Sequence, residues 1–153
     1  MDHTKMLLQS VVDNARTGMN AVEQMMNYTE DAEMRKELTT EKEQYQAFIR
    51  DAEQKMFEMG VTPDKEGMMQ KAGMWMGLRM NTLMNAGKDH LAEMIIQGAT
   101  MGIVTMTRDR NDYTDASADA QGIASNFITT QQDTIDRLKT MLSRATVEES
   151  TPR

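Results

Sequence analysis

An internal repeat constrains this chain more than any other feature. MLLQS (6–10), NYTE (27–30) and TTEKEQY (39–45) recur in the same order as MIIQG (94–98), DYTD (112–115) and TTQQDTI (129–135). Each copy holds a helical segment, a polar turn and a second helical segment, so each reads as a helical hairpin. A lone hairpin leaves an apolar stripe of each helix in water, whereas two copies can bury those stripes against each other. The expected fold is therefore an all-α four-helix bundle made of two repeated hairpins. Glu41-x-x-Gln44 in the first copy and Gln131-x-x-Thr134 in the second fall at matching places of the repeat.

The chain of 153 residues suits one domain, expected over residues 1–145, with enough length to bury a single core. Aromatics make up only 5% and methionine is abundant at 18 copies, while the two prolines, Pro63 and Pro152, leave the other segments free of helix breakers. There is no cysteine, which excludes disulfides, thiolate metal sites and cysteine nucleophiles. The first residues, MDHTKMLLQS, lack a basic segment followed by a sustained apolar run, so no signal peptide is expected. No stretch is apolar enough to span a bilayer. A net charge of -7 with interspersed signs repels phosphates and anionic lipid, so neither nucleic acid nor membrane is an expected partner. A cytoplasmic protein is the expectation.

Apolar positions recur at spacings of three and four through Leu8, Val11, Ala15, Met19, Val22 and Met26, predicting a helix over residues 4–28. A second stripe, Met34, Leu38, Glu41, Tyr45, Phe48, Ala52, Met56 and Met59, predicts a helix over 32–59 closed by Gly60. Thr62-Pro63 is a fitting start for a shorter connecting helix over 63–85, with Gly87 after it. Leu91, Ile95, Gly98, Gly102 and Thr105 mark a helix over 89–111, whose small residues would admit a neighbouring backbone closely. Ala124, Phe127, Gln131, Thr134, Leu138, Met141 and Ala145 mark the last, over 117–144, and the tail 146–153 has too little apolar surface to order itself.

The segments AEMRKELTTEKEQYQAFIRDAEQKMFEMG (32–60), TPDKEGMMQKAGMWMGLRMNTLM (62–84) and DHLAEMIIQGA (89–99) resemble the small bacterial members of the ferritin-like superfamily, including spore-coat-F-like proteins. The resemblance covers residues 4–144 and implies a ferritin-like up-down bundle joined by a crossover with a short extra helix. Members with a di-metal site place Glu-x-x-His at the two matching positions and a further glutamate on each partner helix. Here those motifs map onto Glu41 to Gln44 and Gln131 to Thr134, without either imidazole. Folding the first hairpin sets Glu41 opposite Met19 or Asn20, and folding the second sets Gln131 opposite Gly98 or Ala99; Glu23 and Glu93 are the nearest acids and are out of level. These are degenerate ligand positions, so no metal, no cofactor and no catalytic residue is expected.

The plain reading of Glu41 is a buried polar residue, satisfied by Gln44, Gln131, Thr134 or Asn20 or else holding a raised pKa. His3 and His90 lie in capping segments near helix starts. No serine, histidine and acid combination gathers at the bundle centre, and no glycine loop cradles phosphate, which removes hydrolase and nucleotide-binding readings. Met68, Met69, Trp75, Met76 and Met80 give the connecting segment more apolar surface than a solvated connector needs, and form a candidate interface for a homodimer or another protein. The first functional expectation is a non-enzymatic bundle working by association, for which the resemblance implies spore-coat assembly. The second is a di-iron carboxylate oxidase or iron-handling protein using a displaced site around Glu23, Glu41, Glu93 and Gln131. The third is a methionine-rich Cu(I) binder, since thioether sulfur is a soft ligand, although methionine at helical spacing more often fills a core.

Overall fold

Polar caps set where the helices begin. In the computed structural model, which describes residues 2–64 and 87–142, Asp2 accepts a hydrogen bond from the Lys5 amide at 3.2 Å and opens α1 (His3–Met26). Asp31 accepts from the Met34 amide at 2.8 Å and opens α2 (Ala32–Glu58), and Ser117 accepts from the Ala120 amide at 3.2 Å and opens α4 (Ala118–Lys139). Gly87 precedes α3 (Lys88–Asp112) without a side-chain cap. Each of these bonds satisfies an amide that the first helical turn leaves without a partner.

The end of α2 follows from one glycine. Gly60 has φ +72°, a left-handed conformation costly for any residue with a Cβ, and its amide bonds the Phe57 carbonyl at 3.0 Å while the Val61 amide bonds the Met56 carbonyl at 2.9 Å. That pair of bonds is the Schellman termination; Val61 packs on the core and Met56 is fully buried, the two positions between which the motif's apolar contact usually forms. Seven of the eight expected boundaries fall within two residues of those observed, all four starts and the ends of α1, α2 and α3. The last helix stops at Lys139, five residues short of the expected 144. There the Thr140 hydroxyl takes the Arg137 carbonyl at 2.6 Å and the Met141 amide turns back to Leu138 at 3.0 Å, so the i to i−4 ladder ends.

Contacts between helix ends give the directions. The Thr4 hydroxyl accepts from the Ser117 amide at 2.8 Å, Ser10 donates to Asp109, and Lys55 pairs with Asp119 at 3.2 Å, so one end of the bundle holds the starts of α1 and α4 and the finishes of α2 and α3. At the other end Lys88 meets Glu33 at 2.7 Å and Arg137 meets Glu37 at 2.7 Å. The helices run up, down, down and up, with α1 antiparallel to α3 and α2 antiparallel to α4, the directions a two-fold axis across the bundle would give. Asp64 is still at the first end, held by Gln9 through bonds of 2.8 and 2.9 Å, and Gly87 begins at the second. One long connection thus separates the hairpins, as it does in bundles with a single crossover.

The core is built from Leu7, Leu8, Val11 and Ala15 of α1, Met34, Leu38 and Met56 of α2, Leu91, Met94 and Met106 of α3, and Ala124, Phe127 and Leu138 of α4. Leu7, Val12 and Met25 lie outside the expected stripe yet are buried, so the apolar face of α1 is wider than expected; Met19 and Met26 lie at its margin and Met59 is 39% exposed. Among the described residues there is no strand, and no helix is long and apolar enough to cross a membrane. The expected connecting helix beyond Asp64, the candidate interface residues Met68, Met69, Trp75, Met76 and Met80, and the tail 146–153 lie outside the described residues.

Candidate functional site at the bundle centre

Three residues one helical turn apart, Glu37, Glu41 and Tyr45, put their side chains on the inward face of α2. Across from them α4 presents Gln131, Thr134 and Arg137. Glu41 is 1% exposed and Gln131 3%, and both line the same cavity, so the two matching repeat positions do meet at the centre. Gln131 does not bond Glu41. Its amide engages the Tyr45 hydroxyl, with Nε2 at 3.0 Å and Oε1 at 3.3 Å. The Tyr45 ring lies flat against α1 where Gly18 leaves room, and packs near Phe127, which in turn meets Phe48 edge-on at 5.3 Å.

Glu37 has a partner of opposite charge. Arg137 donates through Nε to Oε1 at 2.7 Å and through Nη2 to Oε2 at 3.2 Å, and Nη2 also reaches the Thr134 hydroxyl at 3.3 Å. This two-pronged pairing satisfies a carboxylate whose side chain is 5% exposed.

Glu41 has no such partner. Neither carboxyl oxygen meets a hydrogen-bond donor. Burial pushes its pKa well above the ordinary 4.5, and the adjacent Glu37 pushes it further, both by accepting its proton in a hydrogen bond and by its negative charge, against a smaller opposing pull from Arg137. The two statements are compatible, because two carboxylates have no proton to share, whereas an acid and a carboxylate have one. Burial and the neighbouring Glu37 carboxyl therefore both favour the protonated form of Glu41. Burial likewise keeps the Tyr45 hydroxyl protonated above its usual range, with the Glu41 charge adding to the effect.

The cavity next to Glu41 has a volume of about 140 Å³. Its walls are mostly apolar and small: Gly18, Ala21 and Val22 from α1, Gly98, Ala99 and Gly102 from α3, with Ile95 and Phe127 closing the sides. The small residues expected to bring α3 close to a neighbour instead leave open space at Gly98, where a Cβ would meet nothing within 4 Å.

Several expected placements are corrected. Gln44 is half-buried and does not line the cavity, so of the four matched repeat positions Glu41, Gln131 and Thr134 are buried and Gln44 is not. The α1 residues lining the Glu41 cavity are Asn14, Thr17, Gly18, Ala21, Val22 and Met25, with neither Met19 nor Asn20 among them; none of Gln44, Gln131, Thr134 or Asn20 bonds the carboxyl, and the other expectation for Glu41, a raised pKa, holds. Glu23 pairs with Lys42 at 3.6 Å and Glu93 with His90 at 3.8 Å, and neither lines the cavity. His3 accepts from the Asp115 amide at 3.2 Å, in keeping with a role at the helix end. Glu37 and Arg137 were not anticipated. Glu37 stands one turn before Glu41 and was legible as a second inward acid, but nothing along the sequence joins positions 37 and 137 before the hairpins pack.

A dinuclear metal does not fit this donor set. Glu37 is already neutralised by a guanidinium, Glu41 offers one carboxyl, the facing residues are an amide, a phenol and a hydroxyl, and no imidazole is near. Among the described residues no three His, Cys, Asp or Glu side chains gather closely enough to hold a metal ion.

Arg137→Met should cost about 2–4 kcal/mol in urea denaturation, below the full penalty for breaking a buried pair because the Arg137 side chain is 38% exposed. Glu37→Gln should restore most of that loss. A cost of only a few tenths of a kcal/mol would reduce the pair to an ordinary surface contact.

No protein-family model, curated protein or solved structure matches this chain.

Proposed function

We propose that this chain is a ferritin-like bundle without a dinuclear centre, and that it acts by binding rather than by catalysing a reaction. The observation that carries the reading is the occupancy of the bundle centre, which holds a Glu37–Arg137 ion pair, a buried Glu41 that no donor reaches and a Tyr45–Gln131 hydrogen bond. On this reading the Arg137 guanidinium, by pairing with Glu37, takes away one of the two inward carboxylates that a metal would need. The up, down, down, up course with one long connection supports the ferritin-like ancestry. Association through the connecting segment, with a second copy of the chain or with another protein of a spore-coat layer, is the form of binding that the family resemblance suggests.

Elemental analysis after anaerobic reconstitution with ferrous iron tests the metal-free centre. No stoichiometric iron, manganese or zinc is expected, and two tightly held irons per chain would overturn it in favour of an oxidase or iron-handling protein. Sedimentation of a Trp75→Ala, Met76→Glu double variant tests association: the parent should be oligomeric and the variant monomeric but folded, and a monomeric parent would remove these residues from any interface.

A further inference from the structure

A buried carboxyl whose oxygens no donor reaches, and whose one polar neighbour for its proton is the Glu37 carboxyl, is costly in a largely apolar cavity. The cost falls if something brings a donor and a positive charge. The cavity of about 140 Å³ is close to the volume of an engineered apolar cavity, about 150 Å³, that accepts benzene, so it suits a body of about six heavy atoms. It also has an approach. Asn14, Thr17, Met101 and Thr105 border both the cavity and a surface cleft of about 610 Å³, and Met101 is 59% exposed at that mouth. The cleft carries Asp13, Asp64 and Asp109 against Lys5, which favours a cation and opposes an anion.

We propose that the bundle cavity binds a small aliphatic ammonium ion, which enters through the acidic cleft, lays its hydrocarbon part against Gly98, Ile95 and Phe127, and donates to the buried Glu41 carboxyl. The ammonium supplies the donor that both Glu41 oxygens lack. Glu41 gives up its proton to solvent as the ammonium docks, so a neutral acid and a free cation become a carboxylate–ammonium pair plus one released proton. Around that carboxylate stand Glu37, whose charge Arg137 offsets, and the uncharged Tyr45 and Gln131. Binding should therefore strengthen as pH rises, until the amine begins to lose its own proton near the ordinary range for alkylamines of about 10. The inference rests on the centre being free of metal, and the two can fail separately because iron analysis reads the one and amine titration the other.

Isothermal titration of metal-free protein with n-butylammonium, and with 1-butanol as a neutral probe of the same length, decides it. One n-butylammonium per chain should bind more tightly than butanol, and the heat should differ between buffers of different ionisation enthalpy as the proton is released. Glu41→Gln should weaken n-butylammonium about tenfold to a hundredfold, the effect of losing a charge-assisted hydrogen bond, while leaving butanol unchanged. Gly98→Leu, which extends into open space, should exclude both probes and leave the fold intact. Butanol binding as tightly as the amine, amine affinity unchanged by either variant, or no amine binding at millimolar concentration would overturn the proposal.

Discussion

Glu41→Gln is expected to make the protein more stable, and by a larger margin the higher the pH. The Glu41 carboxyl is 1% exposed, and burial with the neighbouring Glu37 raises its pKa well above the ordinary 4.5. The sign follows from proton counting. Between the ordinary value and the raised one the folded protein keeps a proton that the unfolded chain has released, so the unfolded state is increasingly favoured with every unit of pH. The parent should lose about 1.4 kcal/mol per pH unit through that window from this group alone, and the loss should stop once pH passes the folded pKa. Glutamine has the same shape, cannot ionise, and carries an amide that can donate to Glu37, so the variant should show no such slope. At pH near 4 the two proteins should differ by less than about 1 kcal/mol, because both then carry a neutral side chain in both states. Urea denaturation of parent and variant across this range is the measurement. Equal slopes would mean that Glu41 is ionised in the fold and has a donor after all.

Gly18→Ala is expected to be destabilising, against the usual gain of about 1 kcal/mol for replacing glycine inside a helix. A Cβ at Gly18 would stand within 3 Å of Cζ, Cε1 and Cε2 of Tyr45. That ring cannot simply step aside, since its hydroxyl is bonded to Gln131 and its body lies between α1 and Phe127. Overpacking costs about 1–3 kcal/mol, and loss of the hydrogen bond about 1 more, so the net effect should be a loss of about 1–3 kcal/mol. Tyr45→Leu in the same chain removes the atoms in the way. The double variant should then be more stable than the sum of the two single effects by about 1–2 kcal/mol. An alanine at position 18 that stabilised the protein would show that the ring has another place to go.

The periodicity of the sequence was enough for the helices because it is a local property. Leu8, Val11 and Ala15, or Leu38, Glu41 and Tyr45, share a face for any helix through them, and Asp31, Ser117 and Gly60 act on amides and carbonyls a few positions away. The repeat added that Glu41 and Gln131 should meet, and they do line one cavity. The spacing overruns the end of α4 because Met141 continues the apolar pattern after the backbone ladder has stopped. Gln44 was misplaced for a related reason: the repeat aligns it with Thr134, but on α2 it is Tyr45, one position on, that faces inward with Glu41.

What the sequence by itself determined is therefore the all-α bundle, its hairpins, most helix ends and the absence of histidine at Gln44 and Thr134, all of which depend on residue identity and short spacing. Only the tertiary structure decided which polar groups are satisfied. Arg137 neutralises Glu37 and Tyr45 occupies Gln131, each across about 90 to 100 positions of chain, and once those pairs form Glu41 is left without a donor. Hydrogen bonding is directional and saturable, so the protonation of one buried carboxyl depends on where every neighbouring donor has already been used.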